Sequence, residues 1–115
     1  GQTPFEIKTM SARPDGFRLT FTQPVDAATA LNPKSYTLTS YTYPYHKKYG
    51  GEPVNVKTHK IKITGLDAAA LFVRLNVEDL REGYVYELHT DGLRDLKGKP
   101  FLHKTAYYTL NRIPK

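Results

Sequence analysis

The chain has 115 residues, 39% hydrophobic and 24% charged, with 17 lysines and arginines against 11 acids for a net charge of +6. This composition describes a folded domain rather than a disordered tail, long enough to bury roughly two-thirds of its unfolded surface without a metal or a disulfide. The absence of cysteine excludes disulfides, cysteine-ligated zinc and a covalent Cys-x-x-Cys-His haem site, and no apolar run approaches the ~20 residues of a membrane-spanning helix.

Period-two alternation of apolar and polar residues, the mark of half-buried strands, dominates the chain. Phe5 and Ile7 alternate with Glu6 and Lys8 in a first strand. After the Asp15-Gly16 turn signal, Phe17, Leu19 and Phe21 alternate with Arg18, Thr20 and Thr22. Gln23-Pro24 closes this strand, because proline has no amide to give a central ladder. Asp26 is placed to cap a short helical turn, Ala27 to Leu31, which Asn32-Pro33 stops.

Tyr36, Leu38 and Ser40 open a third strand that runs into a segment dense in tyrosine. Beyond Gly50-Gly51 the pattern resumes with Val54 and Val56, but the next apolar pair, Ile61 and Ile63, is out of phase. That shift predicts a register break or bulge near Thr58-His59. Gly65 to Ala70 reads as a connector. Leu71, Val73, Leu75 and Val77 form the cleanest strand, with Arg74 and Asn76 outward. Tyr84, Tyr86 and Leu88 mark another, Asp91 to Pro100 is a turn-rich loop, and a final strand covers about Thr105 to Leu110. Seven or eight short strands with almost no helix predict an all-β, two-sheet antiparallel sandwich occupying residues 1–115 as one domain. Gly1 reads as the remnant of a removed tag, and the domain as a piece of a longer protein.

Leu80-Arg81-Glu82-Gly83-Tyr84-Val85-Tyr86 has the spacing Leu-x-x-Gly-x-x-Tyr. In immunoglobulin-like sandwiches this is the tyrosine corner: Leu80 plugs the core, Gly83 permits the turn, and the buried Tyr86 hydroxyl bonds a backbone group a few residues upstream. Phe21-Thr22-Gln23-Pro24-Val25-Asp26 with Asn32-Pro33-Lys34-Ser35-Tyr36, and later Asp95 to Phe101, resemble bacterial immunoglobulin-like domains of the S-layer type, with Lys99 where asparagine is usual.

A narrower resemblance covers Tyr41 to Gly50 and His103 to Pro114. These look like a C-terminal module of large secreted proteins of Bacteroidetes and Planctomycetes that carry sugar-dehydrogenase-like propellers and cytochrome c domains. The resemblance implies a secreted, periplasmic or cell-surface accessory domain, with redox chemistry elsewhere in the parent chain.

Tyr41-Thr42-Tyr43-Pro44-Tyr45-His46-Lys47-Lys48-Tyr49-Gly50 holds four of the nine tyrosines. Such rings either brace an irregular excursion against the sheet or present a binding surface. Flat, rigid rings with a polar hydroxyl suit sugar faces and protein contacts alike, and Lys47 and Lys48 add hydrogen-bond donors. Of the Tyr107-Tyr108 pair, one ring faces inward and one outward, and an outward Tyr107 is placed to join Tyr43 and Tyr45 in one aromatic patch.

The candidate ligand or partner residues are thus Tyr41, Tyr43, Tyr45, His46, Tyr49, His103 and Tyr107. The histidines at 46, 59, 89 and 103 have no local metal-site spacing, although His46 and His103 belong to the two family-like segments and have the means to converge. No metal and no cofactor is expected.

Glu52, Glu78, Asp79, Glu82 and Glu87 lack any spacing that pairs them as acid and base, and there is no nucleophile elbow or phosphate-binding loop. The chain is therefore expected to be no enzyme. The basic residues, spread from Lys8 to Lys115 with no run longer than two, do not form a nucleic-acid footprint. The expected partners are neighbouring domains of the parent protein or another protein; the alternative is a polysaccharide held by the aromatic segment.

Overall fold

A computed structural model describes residues 4–43, 52–101 and 103–115. Eight strands form in chain order: β1 (Ile7–Arg13), β2 (Gly16–Phe21), β3 (Thr37–Thr42), β4 (Val54–Thr58), β5 (Ile61–Leu66), β6 (Phe72–Val77), β7 (Tyr84–His89) and β8 (Thr105–Leu110). One antiparallel sheet has the order β1-β2-β6-β5 and the other β4-β3-β7-β8. Their inner faces meet in one apolar layer to which Phe17, Leu19, Val73 and Leu75 come from the first sheet and Leu38, Tyr86, Leu88 and Leu110 from the second. The fold is an immunoglobulin-like β-sandwich.

The predicted alternations place nearly every strand, and three differences have clear causes. The first strand begins at Ile7 and continues to Arg13, with a bulge between Ile7 and Thr9. The bulge moves Met10 and Ala12 onto the inner face, so the Phe5–Ile7 phase does not carry through. Phe5 itself precedes the strand and stacks on Phe101 at 4.1 Å between ring centroids.

The phase change near Thr58-His59 is not a bulge but a change of sheet. β4 pairs with β3 in one sheet, and β5 pairs with β6 in the other. The two-residue link between them is fixed by the His59 amide, which donates to Leu38 O at 2.9 Å, and by Lys60 O, which accepts from Glu78 N at 3.1 Å. The third difference is β4 itself, which lies at a sheet edge. Val54 and Val56 are consequently 38% and 59% exposed rather than part of the core.

Between β2 and β3 the chain makes the short helix α1 (Ala27–Ala30). The Asp26 carboxylate accepts the Thr29 amide as its N-cap, as expected, and Leu31 closes the turn. A single 3₁₀ turn, Pro33–Ser35, follows, with Asn32 accepting the Lys34 amide.

The connection from β6 to β7 makes a tight turn that uses two left-handed residues, Asp79 (φ 60°) and Gly83 (φ 83°). Leu80 packs, partly buried, against the core. Tyr86 is fully buried, and its hydroxyl accepts the Arg81 amide at 2.7 Å. Removing only that oxygen leaves the amide unpaired in a part-buried site. Tyr86→Phe is therefore expected to lower stability by about 1–2 kcal/mol, read as a lower urea midpoint at unchanged slope; an unchanged midpoint would show that the bond contributes nothing.

Candidate functional site

The outer face of the β4-β3-β7-β8 sheet carries three of the sequence-predicted residues, Tyr41, Tyr43 and Tyr107. Period two turns Thr39 and Tyr41 of β3, Val85, Glu87 and His89 of β7, and Thr105 and Tyr107 of β8 to this side. The register sets Thr39 opposite Glu87 and Glu87 opposite Tyr107. Tyr41 lies flat enough to be 8% exposed. Its hydroxyl donates to Glu87 Oε1 at 3.0 Å. The other carboxylate oxygen, Oε2, is 2.5 Å from His89 Nε2, and His89 Nδ1 is 3.2 Å from Thr105 Oγ1. A polar chain, Tyr41–Glu87–His89–Thr105, thus crosses three strands.

Contact with the His89 ring, seconded by the Tyr41 hydroxyl, holds the Glu87 carboxyl below its ordinary range. Burial, together with the bond to a carboxylate, pushes the Tyr41 hydroxyl well above the usual phenol range. Tyr41 is therefore a fixed donor that locks Glu87, not a titrating group. Beside it the Tyr43 ring meets the Tyr41 ring edge-on, at 5.6 Å and 82°, and is 50% exposed. Tyr107 is 64% exposed on the far side of Glu87, while its neighbour Tyr108 turns inward to meet Phe17 edge-on at 5.4 Å.

His103 is exposed and lies with Tyr107 along a cleft of about 250 Å³ between β8 and the Glu6–Met10 stretch. Tyr45, His46 and Tyr49, with Lys47 and Lys48, lie outside the described residues. So does any approach of His46 to His103 or of Tyr45 to Tyr107.

The link between Glu87 and His89 has a sequence signal that can be stated in retrospect. Residues i and i+2 of a strand share a face, so an acid and an imidazole at that spacing are neighbours. The carboxylates near the turn also find partners that local spacing does not reveal. Asp79 pairs with Lys57 at 3.0 Å, and Glu82 Oε2 accepts the Ile113 amide at 2.5 Å.

A second polar group is buried under the sheet change. Ser40 and His59 are 0% and 4% exposed, and Ser40 Oγ is 2.7 Å from His59 Nε2. His59 Nδ1 faces Glu78 O at 2.8 Å. A carbonyl only accepts, so Nδ1 carries the proton and Nε2 accepts from the Ser40 hydroxyl. Arg81 then donates to Ser40 Oγ from both Nε (3.1 Å) and Nη2 (2.5 Å), and to Asn55 O from Nη2 at 2.8 Å. The Arg81 guanidinium also covers the Tyr84 ring at 3.8 Å. The serine–histidine pair resembles a nucleophile and its base, but the serine is sealed from solvent and its lone pairs are occupied. It ties β3, the β4–β5 link and the Tyr86 turn together.

Burial, aided by the nearby Arg81 and Lys57 charges, lowers the His59 pKa below 6.5. A histidine whose folded pKa is depressed binds protons more readily when unfolded. Its contribution is complete above pH 6.5 and is lost as pH falls from there toward the depressed value. Thermal melts are expected to show a loss of midpoint between pH 7 and 5 that is smaller in His59→Gln, whose amide cannot take the proton. Equal slopes in the two proteins would remove His59 as the cause.

The fold is similar to that of bacterial S-layer protein domains. The crystal structure of the S-layer protein rSbsC(31-844) superposes with a TM-score of 0.68 and 24% identity, over 95% of this chain and 14% of that one. The N-terminal part of the bacterial S-layer protein SbsC gives a TM-score of 0.68 and 25% identity, over 95% of this chain and 24% of that one. Domains 1–6 of surface layer protein SbsC give 0.66 and 25%, over 93% and 14%. The chain thus spans less than a quarter of the length of these neighbours. No protein-family model and no curated protein matches the sequence.

Proposed function

We propose that the domain is a non-catalytic accessory module of a large bacterial surface or secreted protein, and that it docks to neighbouring domains or to a protein partner. The observation that carries this reading is the disproportion in coverage: nearly the whole chain aligns, yet it accounts for only 14% of the rSbsC chain. A fold that occurs as one segment of a long polypeptide has neighbouring domains to contact, which supports a docking role. The resemblance of Tyr41–Gly50 and His103–Pro114 to a module of propeller- and cytochrome-bearing proteins supports a parent chain whose redox chemistry lies in other domains.

The docking surface proposed is the outer face around Tyr41, Tyr43 and Tyr107 with His103 at its edge; Tyr45, His46 and Tyr49, which lie outside the described residues, are proposed as further binding residues. Tyr43 and Tyr107 offer exposed rings, and the fixed Tyr41–Glu87–His89 chain between them supplies oriented polar groups at no further ordering cost. A polysaccharide is the second reading, favoured by those same exposed rings. The perpendicular Tyr41 and Tyr43 rings do not make a flat platform, which ranks it below a protein contact.

The test is titration of the domain with recombinant flanking segments of its parent protein, followed by calorimetry. Tyr43→Ala/Tyr107→Ala is expected to weaken binding about tenfold or more, as truncated aromatic anchors do. Undiminished affinity would remove this face. Retention on a neutral glucan gel that disappears in the same variant would favour the sugar reading instead.

A further inference from the structure

The opposite outer face, on the β1-β2-β6-β5 sheet, is basic. Register places Ser11, Arg18 and Arg74 in one cross-strand row, Arg13, Gly16, Asn76 and Lys62 in the next, and Thr9, Thr20 and Phe72 in the third. Four cations therefore share one sheet face with hydroxyls, an amide and a single ring. The nearest acids in sequence, Asp15, Asp67 and Glu78, sit in the connections at the sheet's ends, and Asp67 is engaged with the Leu71 and Phe72 amides at 2.6 and 2.9 Å. Among the described residues the acid–base contacts are Lys57–Asp79 and Glu87–His89, both on the other sheet or its connections.

Arg18 and Arg74 stand directly opposite each other, an arrangement of like charges that destabilises a sheet unless an anion answers it. Both guanidiniums flank the Phe72 ring, at 4.1 Å for Arg18 and 5.9 Å for Arg74. This contact holds the two planar forks over the sheet. Arg18 Nε is buried and has no hydrogen-bond partner among the described residues.

We infer that this face is a binding site for an acidic polysaccharide, in which Arg18 and Arg74 hold carboxylate groups. Planar forks match carboxylates bidentately. The interleaved Thr9, Ser11, Thr20 and Asn76 side chains offer the hydroxyl and amide groups that a sugar ring needs. A protein partner fits this face poorly. Among the described residues the large exposed hydrophobics lie elsewhere, at Leu31, Tyr43, Val54, Val56, Leu71, Leu96 and Tyr107, so these rows offer no exposed apolar anchor for an interface core.

The experiment is affinity electrophoresis of the intact chain through gels containing polygalacturonate, with neutral dextran, polyglutamate and double-stranded DNA as parallel probes. Polygalacturonate is expected to retard the protein, less so as salt rises, and dextran not at all. Arg18→Gln/Arg74→Gln should weaken binding about tenfold or more, whereas Lys97→Gln/Lys99→Gln, which removes the same charge from a distant loop, should leave it unchanged.

Arg18→Lys/Arg74→Lys keeps the charge and loses the fork; it should fold and still bind several-fold more weakly. Arg74→Gln alone tests the exposed partner if the double variant melts early. Equal loss in the Lys97/Lys99 variant, no retardation by polygalacturonate, or tighter retention by polyglutamate or DNA overturns the assignment.

Discussion

Phe17→Ala is expected to lower stability by about 3–5 kcal/mol, the range for removing a buried aromatic side chain. Phe17 is fully buried on β2 and pairs across the ladders with Ala12 and Leu75. Its ring reaches over to the second sheet, 5.2 Å from the Tyr86 ring and 5.4 Å from that of Tyr108. It is therefore a bolt between the layers, and no neighbour can move in without dragging a sheet with it. The cavity left behind would undercut Tyr86 and, through it, the Arg81 turn. Chemical denaturation measures the loss. A change below about 1.5 kcal/mol would mean that the two sheets close over the gap.

Gly16→Ala is expected to cost about 3 kcal/mol or more, at the upper end of overpacking effects. A Cβ at Gly16 would sit 1.9 Å from Leu75 O and 2.9 Å from Leu75 C. Both are backbone atoms of the adjacent β6, so no rotamer change relieves the clash and the central β2–β6 pair must part. Gly98→Ala is the informative contrast. No described residue lies within 4 Å of its Cβ position, and the left-handed φ of 81° opposes the substitution, for about 1–2 kcal/mol. Similar losses at the two glycines, measured by the same denaturation, would show that the ladder yields more easily than its geometry implies.

Strand positions were legible because a half-buried strand must alternate. β2, β7 and β8 lie where Phe17–Phe21, Tyr84–Leu88 and Thr105–Leu110 place them, and β6 covers the Leu71–Val77 alternation from Phe72 on. The Asp26 cap and the Tyr86 hydroxyl bond were legible as well, since both are local patterns with one geometric solution. Val54 and Val56 were not, because alternation reports period and not whether a second layer covers the strand. At an edge, the same pattern faces water.

The candidate face was visible only in part. Tyr41, Tyr43 and Tyr107 stand out by type and spacing, but what Tyr41 does depends on Glu87, 46 residues away. The buried histidine was equally hidden. Nothing local distinguishes His59 from His89 or His103; its burial comes from Ser40, Glu78 and Arg81, which arrive from two other segments, β3 and the β6–β7 connection.

By itself the sequence determined the class of this protein. Period-two patterning, turn residues and the Leu-x-x-Gly-x-x-Tyr spacing are local constraints, and local constraints suffice to specify strands, a cap and the Tyr86 hydroxyl bond. The tertiary structure alone decided that the phase shift at Thr58-His59 is a passage between sheets. It also decided that Tyr41 is locked while Tyr43 and Tyr107 face water, and that Arg18 meets Arg74 across a ladder with no acid between them. Each depends on which strands become neighbours, and that is settled by long-range burial, which no short window of sequence contains.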